Sequence, residues 1–183
     1  MARAVKARRP PAGMSTKIVA IDGRGGAGKS SLAERLAQEL GGAQILCTDD
    51  FASWENPLDW WSRLIEEALE PLSRNQPARY RRTDWGSEDH EERGEVVPAE
   101  FVILEGVSAS REAFRPFLTY SIWIETPPEL RLRRGLERDG EEARAQWEQW
   151  MAEEDDYVRR EKPQERVDLV LPGDRTSGAK ARV

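Results

Sequence analysis

The sequence predicts an α/β fold, a parallel sheet with helices on both faces. Three observations predict it. Strand-like and helix-like segments alternate along the chain, the strand-like segments are short apolar runs, and the first of them ends in a glycine-rich turn that leads into a helix. Apolar runs of this kind suit strands buried on both faces, and such strands are the parallel ones that crossover helices cover.

"TKIVAID" (residues 16–22) is short, β-branched and followed by glycines, so it reads as a buried strand. "SSLAERLAQEL" (residues 30–40) puts Leu32, Leu36 and Leu40 on one helical face, and Gly41-Gly42 stops that helix. "AQILC" is a second strand, and "PLDWWSRLIEEALEPL" (residues 57–72) is helical with Pro57 near its first turn. Residues 73–98 keep no period and read as an excursion with a short hairpin. "EFVILEG" and "TYSIWIET" are a third and fourth strand. Pro127-Pro128 open a helix through "ELRLRRGLERD", Gly140 interrupts it, "EEARAQWEQWMAEEDDYVRRE" is a further acidic helix, and "RVDLVLP" is the last strand.

At 183 residues the chain is expected to form one domain, over residues 16–173. The basic residues 1–15 are expected to be a disordered arm and residues 174–183 a flexible tail. The net charge of -6 argues against a nucleic-acid-binding domain, which is usually basic. Cys47 is the one cysteine and His90 the one histidine, so an intrachain disulfide and a cysteine-based zinc site are both excluded. No apolar run approaches the roughly 18 residues that span a bilayer. A cytoplasmic setting, with no membrane or nucleic-acid partner, is the expectation; the oligomeric state stays open, a homo-oligomer included.

The stretch "IDGRGGAGKSS" (residues 21–31) can be parsed two ways. Gly23, Gly25 and Gly28 spell the dinucleotide fingerprint G-x-G-x-x-G, and Asp49 and Asp50 stand roughly 20 residues on, where that motif wants an acid. Gly23, Gly28, Lys29 and Ser30 spell G-x-x-x-x-G-K-S, a P-loop. Lys29-Ser30 decides for the P-loop. Its lysine must follow the last glycine so that the ammonium can curl back to the β and γ phosphate oxygens, and the next hydroxyl must reach Mg²⁺. By residue frequencies the pattern arises by chance in roughly one chain in a hundred of this length. Gly23, Arg24, Gly25, Gly26, Ala27, Gly28, Lys29, Ser30 and Ser31 are therefore the expected cradle for the phosphates of ATP or GTP.

Three further features agree. "FVILEG" ends an apolar strand in Glu105, placed to help Ser30 hold Mg²⁺. In "RLRRGLERD", Arg131, Arg134 and Arg138 fall at i, i+3 and i+7 on one helical face, and guanidinium groups suit the charge of a phosphoryl group in transfer. "CTDDF" follows the second strand, so Asp49 or Asp50 can accept the proton of an attacking hydroxyl. Asp50 is the simpler candidate for a turn or capping role.

The motifs "VAIDGRGGAGKSSLA", "ILCTDDF", "ARYRRTDW", "FVILEGV", "RLRRGLERDG" and "DLVLPG" occur in an order that resembles the uridine kinase-like branch of the P-loop kinases, over residues 17–173. The resemblance implies a nucleoside monophosphate kinase-like three-layer fold with a five-stranded parallel sheet and an Arg-rich lid. It implies transfer of the γ-phosphoryl group of ATP or GTP to the 5′-hydroxyl of uridine or cytidine. By position it makes Asp49 the general base and ribose anchor, puts Asp84 in a substrate-site segment, and makes Arg134 and Arg138 lid arginines. The chain departs from the family at Ala52 and Thr83, where a tyrosine is usual, and at Glu88, near the position of a base-recognising histidine. Phosphate-side residues match and base-side residues do not, so another small alcohol or a nucleoside monophosphate is an alternative acceptor. A nucleotide-dependent switch is an alternative of a different class, against which stands the lack of an Asn-Lys-x-Asp segment.

Aromatic residues complete the expected acceptor site. Phe51, Trp54, Tyr80 and Trp85 join Asp49 and Asp84 as substrate-binding candidates, because planar bases stack on such rings. Trp60 and Trp61 point apart on one helix, so at least one packs in the core. Trp123, Trp147 and Trp150 are expected in the core, and Cys47 is expected to pack.

Overall fold

The computed structural model describes residues 1–53, 56, 58–83 and 93–175. Its centre is a five-stranded parallel sheet of β1 (Lys17–Asp22), β2 (Gln44–Cys47), β5 (Phe101–Glu105), β6 (Leu118–Glu125) and β7 (Leu169–Pro172), in the spatial order β2-β5-β1-β6-β7. The expected α/β class and strand number are both present. β1 pairs with β5 from Lys17–Phe101 to Ile21–Glu105, and with β6 on its other side. The carboxyl ends of β1, β2 and β5 thus finish side by side at Asp22, Cys47 and Glu105.

The absence of polar alternation in these strands has its reason in the two cores they separate. Ile18 and Ala20 of β1 and Val102 and Leu104 of β5 face one core, where Leu64, Leu69, Leu72 and Phe114 cover them. Val19, Ile21, Phe101 and Ile103 face the other, under Leu32, Leu36 and Leu40 from helix α2 (Lys29–Glu39) and the residue that caps it. Burial on both sides removes any position that water could select as polar.

The helix expected over residues 57–72 is built in pieces: α3 (Trp61–Leu64), a π-helical turn (Ile65–Leu69) and α4 (Glu70–Ser73). Pro71 supplies the reason. It has no N–H to donate and its ring crowds the carbonyl four residues back, so the ladder widens in the turn before it. Residues 73–98 do contain a hairpin, β3 (Ala78–Arg81) antiparallel to β4 (Arg93–Val96). The arginine-bearing helix α5 (Pro128–Asp139) and the acidic helix α6 (Arg144–Glu161) stand where the sequence put them, with Gly140 at φ 92° between them.

The first residues differ from the expected disordered arm. α1 (Ala2–Ala7) docks on the α2 side of the sheet through Val5, which is fully buried. Lys6 donates to the carbonyl of Glu39 at the end of α2 (3.0 Å), and Arg8 pairs with Asp168 (3.0 Å). A helix this short has no stability of its own. One apolar side chain finding a slot in the core orders it, and basic composition conceals that.

Candidate active site

Four segments converge at the carboxyl edge of the sheet: the loop after β1, the turn after β2, the end of β5, and the flanks of α5 and α6. The loop is set from below by Asp22. This residue is fully buried, and its carboxylate accepts five hydrogen bonds: from the amides of Gly23 (2.7 Å), Ser108 (2.9 Å) and Ser110 (3.0 Å), and from the hydroxyls of Ser110 (2.6 Å) and Tyr157 (3.0 Å). One side chain therefore ties the start of the glycine-rich loop to the turn after β5 and to α6.

Gly26 sits at φ 72°, and a Cβ there would lie 2.5 Å from the carbonyl oxygen of Arg131, so the loop can pass under α5 only as glycine. α2 begins at Lys29, which leaves the amides of Lys29, Ser30 and Ser31 without an acceptor inside the helix. Lys29 arches back and donates to the carbonyl of Arg24 (3.1 Å). Residues 23–31 thus form one glycine-rich turn that runs into the start of α2, the segment the sequence marks as an anion cradle. The Arg24 side chain is the exception within it. Its guanidinium turns outward to Asp155 (2.9 Å) and Glu125 (3.6 Å), so only its backbone serves the loop.

Ser30 donates to the Glu105 carboxylate at 3.3 Å, so the two expected metal residues are adjacent. Burial raises the Glu105 pKa, opposed by the Lys29 charge and by the Cys47 thiol that donates to it at 3.3 Å. The Cys47 pKa is itself pushed far up by burial and by the Asp49 and Glu105 charges, so the thiol stays protonated. A hydroxyl and one carboxylate are oxygen donors of the kind Mg²⁺ takes alongside water and phosphate oxygens, and they fit that ion. Among the described residues no cluster of three or more His, Cys, Asp or Glu could hold a metal without a ligand's help.

The two acids after β2 divide their roles. Asp49, in the turn Thr48–Asp50, is exposed, and its charge is felt at Cys47, Glu105 and Arg138. Asp50 accepts from the Tyr80 hydroxyl (3.1 Å) and pairs with Arg82 (3.4 Å), which fastens the turn to the hairpin. Phe51 and Tyr80, expected to touch substrate, are buried at 3% and 4% exposure and stack on each other at 4.8 Å. They support Asp50 instead of presenting a face to solvent. Trp54, Asp84 and Trp85 lie outside the described residues.

The three arginines of α5 separate. Arg131 is buried, donates to the carbonyl of Thr126 (3.2 Å) and pairs with Glu154 of α6 (3.3 Å). Arg134 lies on the loop, donating to the carbonyls of Gly26 (3.2 Å) and Gly173 (3.1 Å). Arg138 is held by Asp139 (2.7 Å) and stands over the Trp147 ring at 5.6 Å. An arginine face at i and i+7 spans about 10 Å of helix, and here its three members turn to three different sets of partners. Trp123 is buried as expected, but Trp147 and Trp150 are only half-buried; Trp147 leans on Gly25 and Gly135.

Two residues with structural command of the site escaped the sequence reading. Asp22 was visible as an acid ending an apolar strand. Glu154 was one of four consecutive acids, and nothing local marks it out from its neighbours.

A family model described as an AAA domain, AAA_18, matches residues 19–162. The chain belongs to the AAA_18 family. No curated protein sequence matches it. Among solved structures this AAA_18 chain is similar to a possible uridine kinase from Bacillus stearothermophilus (20% identity, 93% of this chain and 94% of that one, TM-score 0.67). It is also similar to a proposed fructose transport system kinase from Silicibacter sp. TM1040 (20% identity, 93% and 97%, TM-score 0.69). Shikimate kinase from Bacteroides thetaiotaomicron is more distant (12% identity, 89% of each chain, TM-score 0.52). The AAA_18 chain thus has a uridine kinase-like P-loop fold. No helix among the described residues is long and apolar enough to cross a membrane.

Proposed function

We propose that this chain is an ATP- or GTP-dependent kinase that moves the γ-phosphoryl group to the hydroxyl of a small molecule. A nucleoside such as uridine or cytidine is the acceptor its motifs favour. The observation that carries the reading is the juxtaposition of the anion cradle and its arched Lys29, the Ser30–Glu105 pair, and an exposed carboxylate, Asp49, at the next strand end but one.

Lys29 and the loop amides hold the β and γ phosphates. Ser30 and Glu105 would hold Mg²⁺, which when bound would offset the phosphate charge. Asp49 takes the proton of the acceptor hydroxyl as its oxygen bonds to the γ-phosphorus and the bond to the β–γ bridging oxygen breaks. Lys29 faces the charge that collects on that leaving oxygen; such stabilisation is worth about 10²-fold or more in rate. Arg134, which donates to the Gly26 carbonyl of the loop, is the arginine this reading assigns to the phosphoryl oxygens. Buried Ala52 and half-buried Thr83 replace the tyrosines usual in the family, which keeps other small alcohols and nucleoside monophosphates as acceptors to test.

The test is ADP release with ATP and Mg²⁺ over a panel of nucleosides, nucleoside monophosphates, sugars and polyols. Acceptor-dependent release by the wild type, lost in Asp49→Asn with ATP binding retained, is the expected result. Slow release that no acceptor stimulates would instead identify a nucleotide-dependent switch.

A further inference from the structure

Glu154 is the one carboxylate of the acidic run on α6 that enters the phosphate loop. Its side chain is 1% exposed, one oxygen accepts the Gly25 amide at 2.8 Å, and the other pairs with Arg131 at 3.3 Å. A Cβ on Gly25 would come within 2.9 Å of the same oxygen, so the backbone and the acid approach as closely as a loop and its ligand. Burial raises the Glu154 pKa, opposed in turn by the Lys29 charge, the Gly25 amide, Arg131 and Arg24. The loop that should receive a nucleotide's phosphates therefore already carries a side-chain carboxyl of the protein on one of its amides. A carboxylate oxygen on a backbone amide and near a lysine is the internal counterpart of a phosphate oxygen.

We propose that Glu154 is a positioning residue that competes with the terminal phosphate of the nucleotide for the loop. Without nucleotide it holds the loop in shape and offsets the charge of Lys29. A nucleotide must share or displace it, so it lowers affinity most for the ligand that brings a γ-phosphate. Asp155 and Tyr157 of the same helix fasten Arg24 and Asp22, so α6 follows the loop whatever Glu154 does. This inference rests on the reading of the loop as a nucleotide site.

The experiment is calorimetric titration of the full chain with Mg²⁺-ATP and Mg²⁺-ADP, comparing wild type, Glu154→Gln and Glu154→Asp. Loss of one nearby negative charge in a partly buried site is expected to tighten ATP by about tenfold and ADP by about threefold or less in Glu154→Gln. Glu154→Asp, which keeps the charge, should stay within about twofold of wild type for both ligands. A wild type that binds neither nucleotide overturns the nucleotide reading and this inference with it. A wild type that binds ATP, with Glu154→Gln equal or weaker, overturns the inference alone and makes Glu154 a structural pair for Arg131. Should Glu154→Gln fail to fold, the pair Arg131→Met and Glu154→Met removes both buried charges. Such replacement is commonly tolerated. ATP binding at least as tight as wild type, despite the missing arginine, then supports the competition, and weaker binding refutes it.

Discussion

Replacing Asp22 by asparagine keeps the shape of the side chain and removes the charge on which five hydrogen bonds converge. One oxygen serves the amides of Gly23 and Ser108; the other serves the amide and hydroxyl of Ser110 and the hydroxyl of Tyr157. The better orientation of the introduced carboxamide leaves its oxygen toward Gly23 and Ser108. Its NH₂ then faces two hydroxyls, which can turn to accept, and the Ser110 amide, which cannot. An orphaned buried N–H costs about 1–3 kcal/mol, and each of the two remaining amide bonds loses about 1 kcal/mol with the charge. Relief of charge burial offsets part of this, leaving a net loss of about 3 kcal/mol. For a chain of this size that lowers Tm by about 6–12 °C. Urea unfolding followed by circular dichroism should show a lower midpoint at unchanged slope. ATP affinity should fall as well, since Gly23 begins the loop. A loss under about 1 kcal/mol would overturn this account, because it would mean that the loop, the turn after β5 and α6 hold their places without the carboxylate.

Two further predictions concern the edges of the site and of the fold. Burial raises the Glu105 pKa above its ordinary value of 4.5. A raised carboxyl contributes stability that is fully present below the unfolded value and lost as pH rises through the folded one. With metal chelated, Glu105→Gln should therefore match wild type below pH 4.5 and exceed it in Tm near neutrality, while needing more Mg²⁺ for nucleotide binding; thermal scans across pH check the crossover. Val5→Ala should cost about 2 kcal/mol in urea unfolding, because Val5 is fully buried under α2, whereas a disordered arm would give no change.

Much of the geometry of the candidate site was legible because its parts are contiguous in the chain. Gly23 to Ser31 carry the loop, its lysine and its hydroxyl on one short run of backbone, and local geometry follows from local sequence. Glu105 and Asp49 were legible for a related reason: each ends an apolar strand, and parallel strands deliver their carboxyl ends to one edge. The alternation that gave the fold class is likewise a property of the chain read in order. Tertiary structure made the choices among chemically identical side chains. It put Arg131 in the interior, Arg134 on the loop and Arg138 on Asp139, though all three share one helical stretch. It chose Glu154 from a run of four acids, took Val5 into the core from a basic segment, and turned Phe51 and Tyr80 inward. A periodic pattern gives a side chain its direction from its own helix or strand, but what it meets there comes from residues far off in the chain. Gly25 and Glu154, 129 positions apart, are joined only by the packing of α6 against the loop.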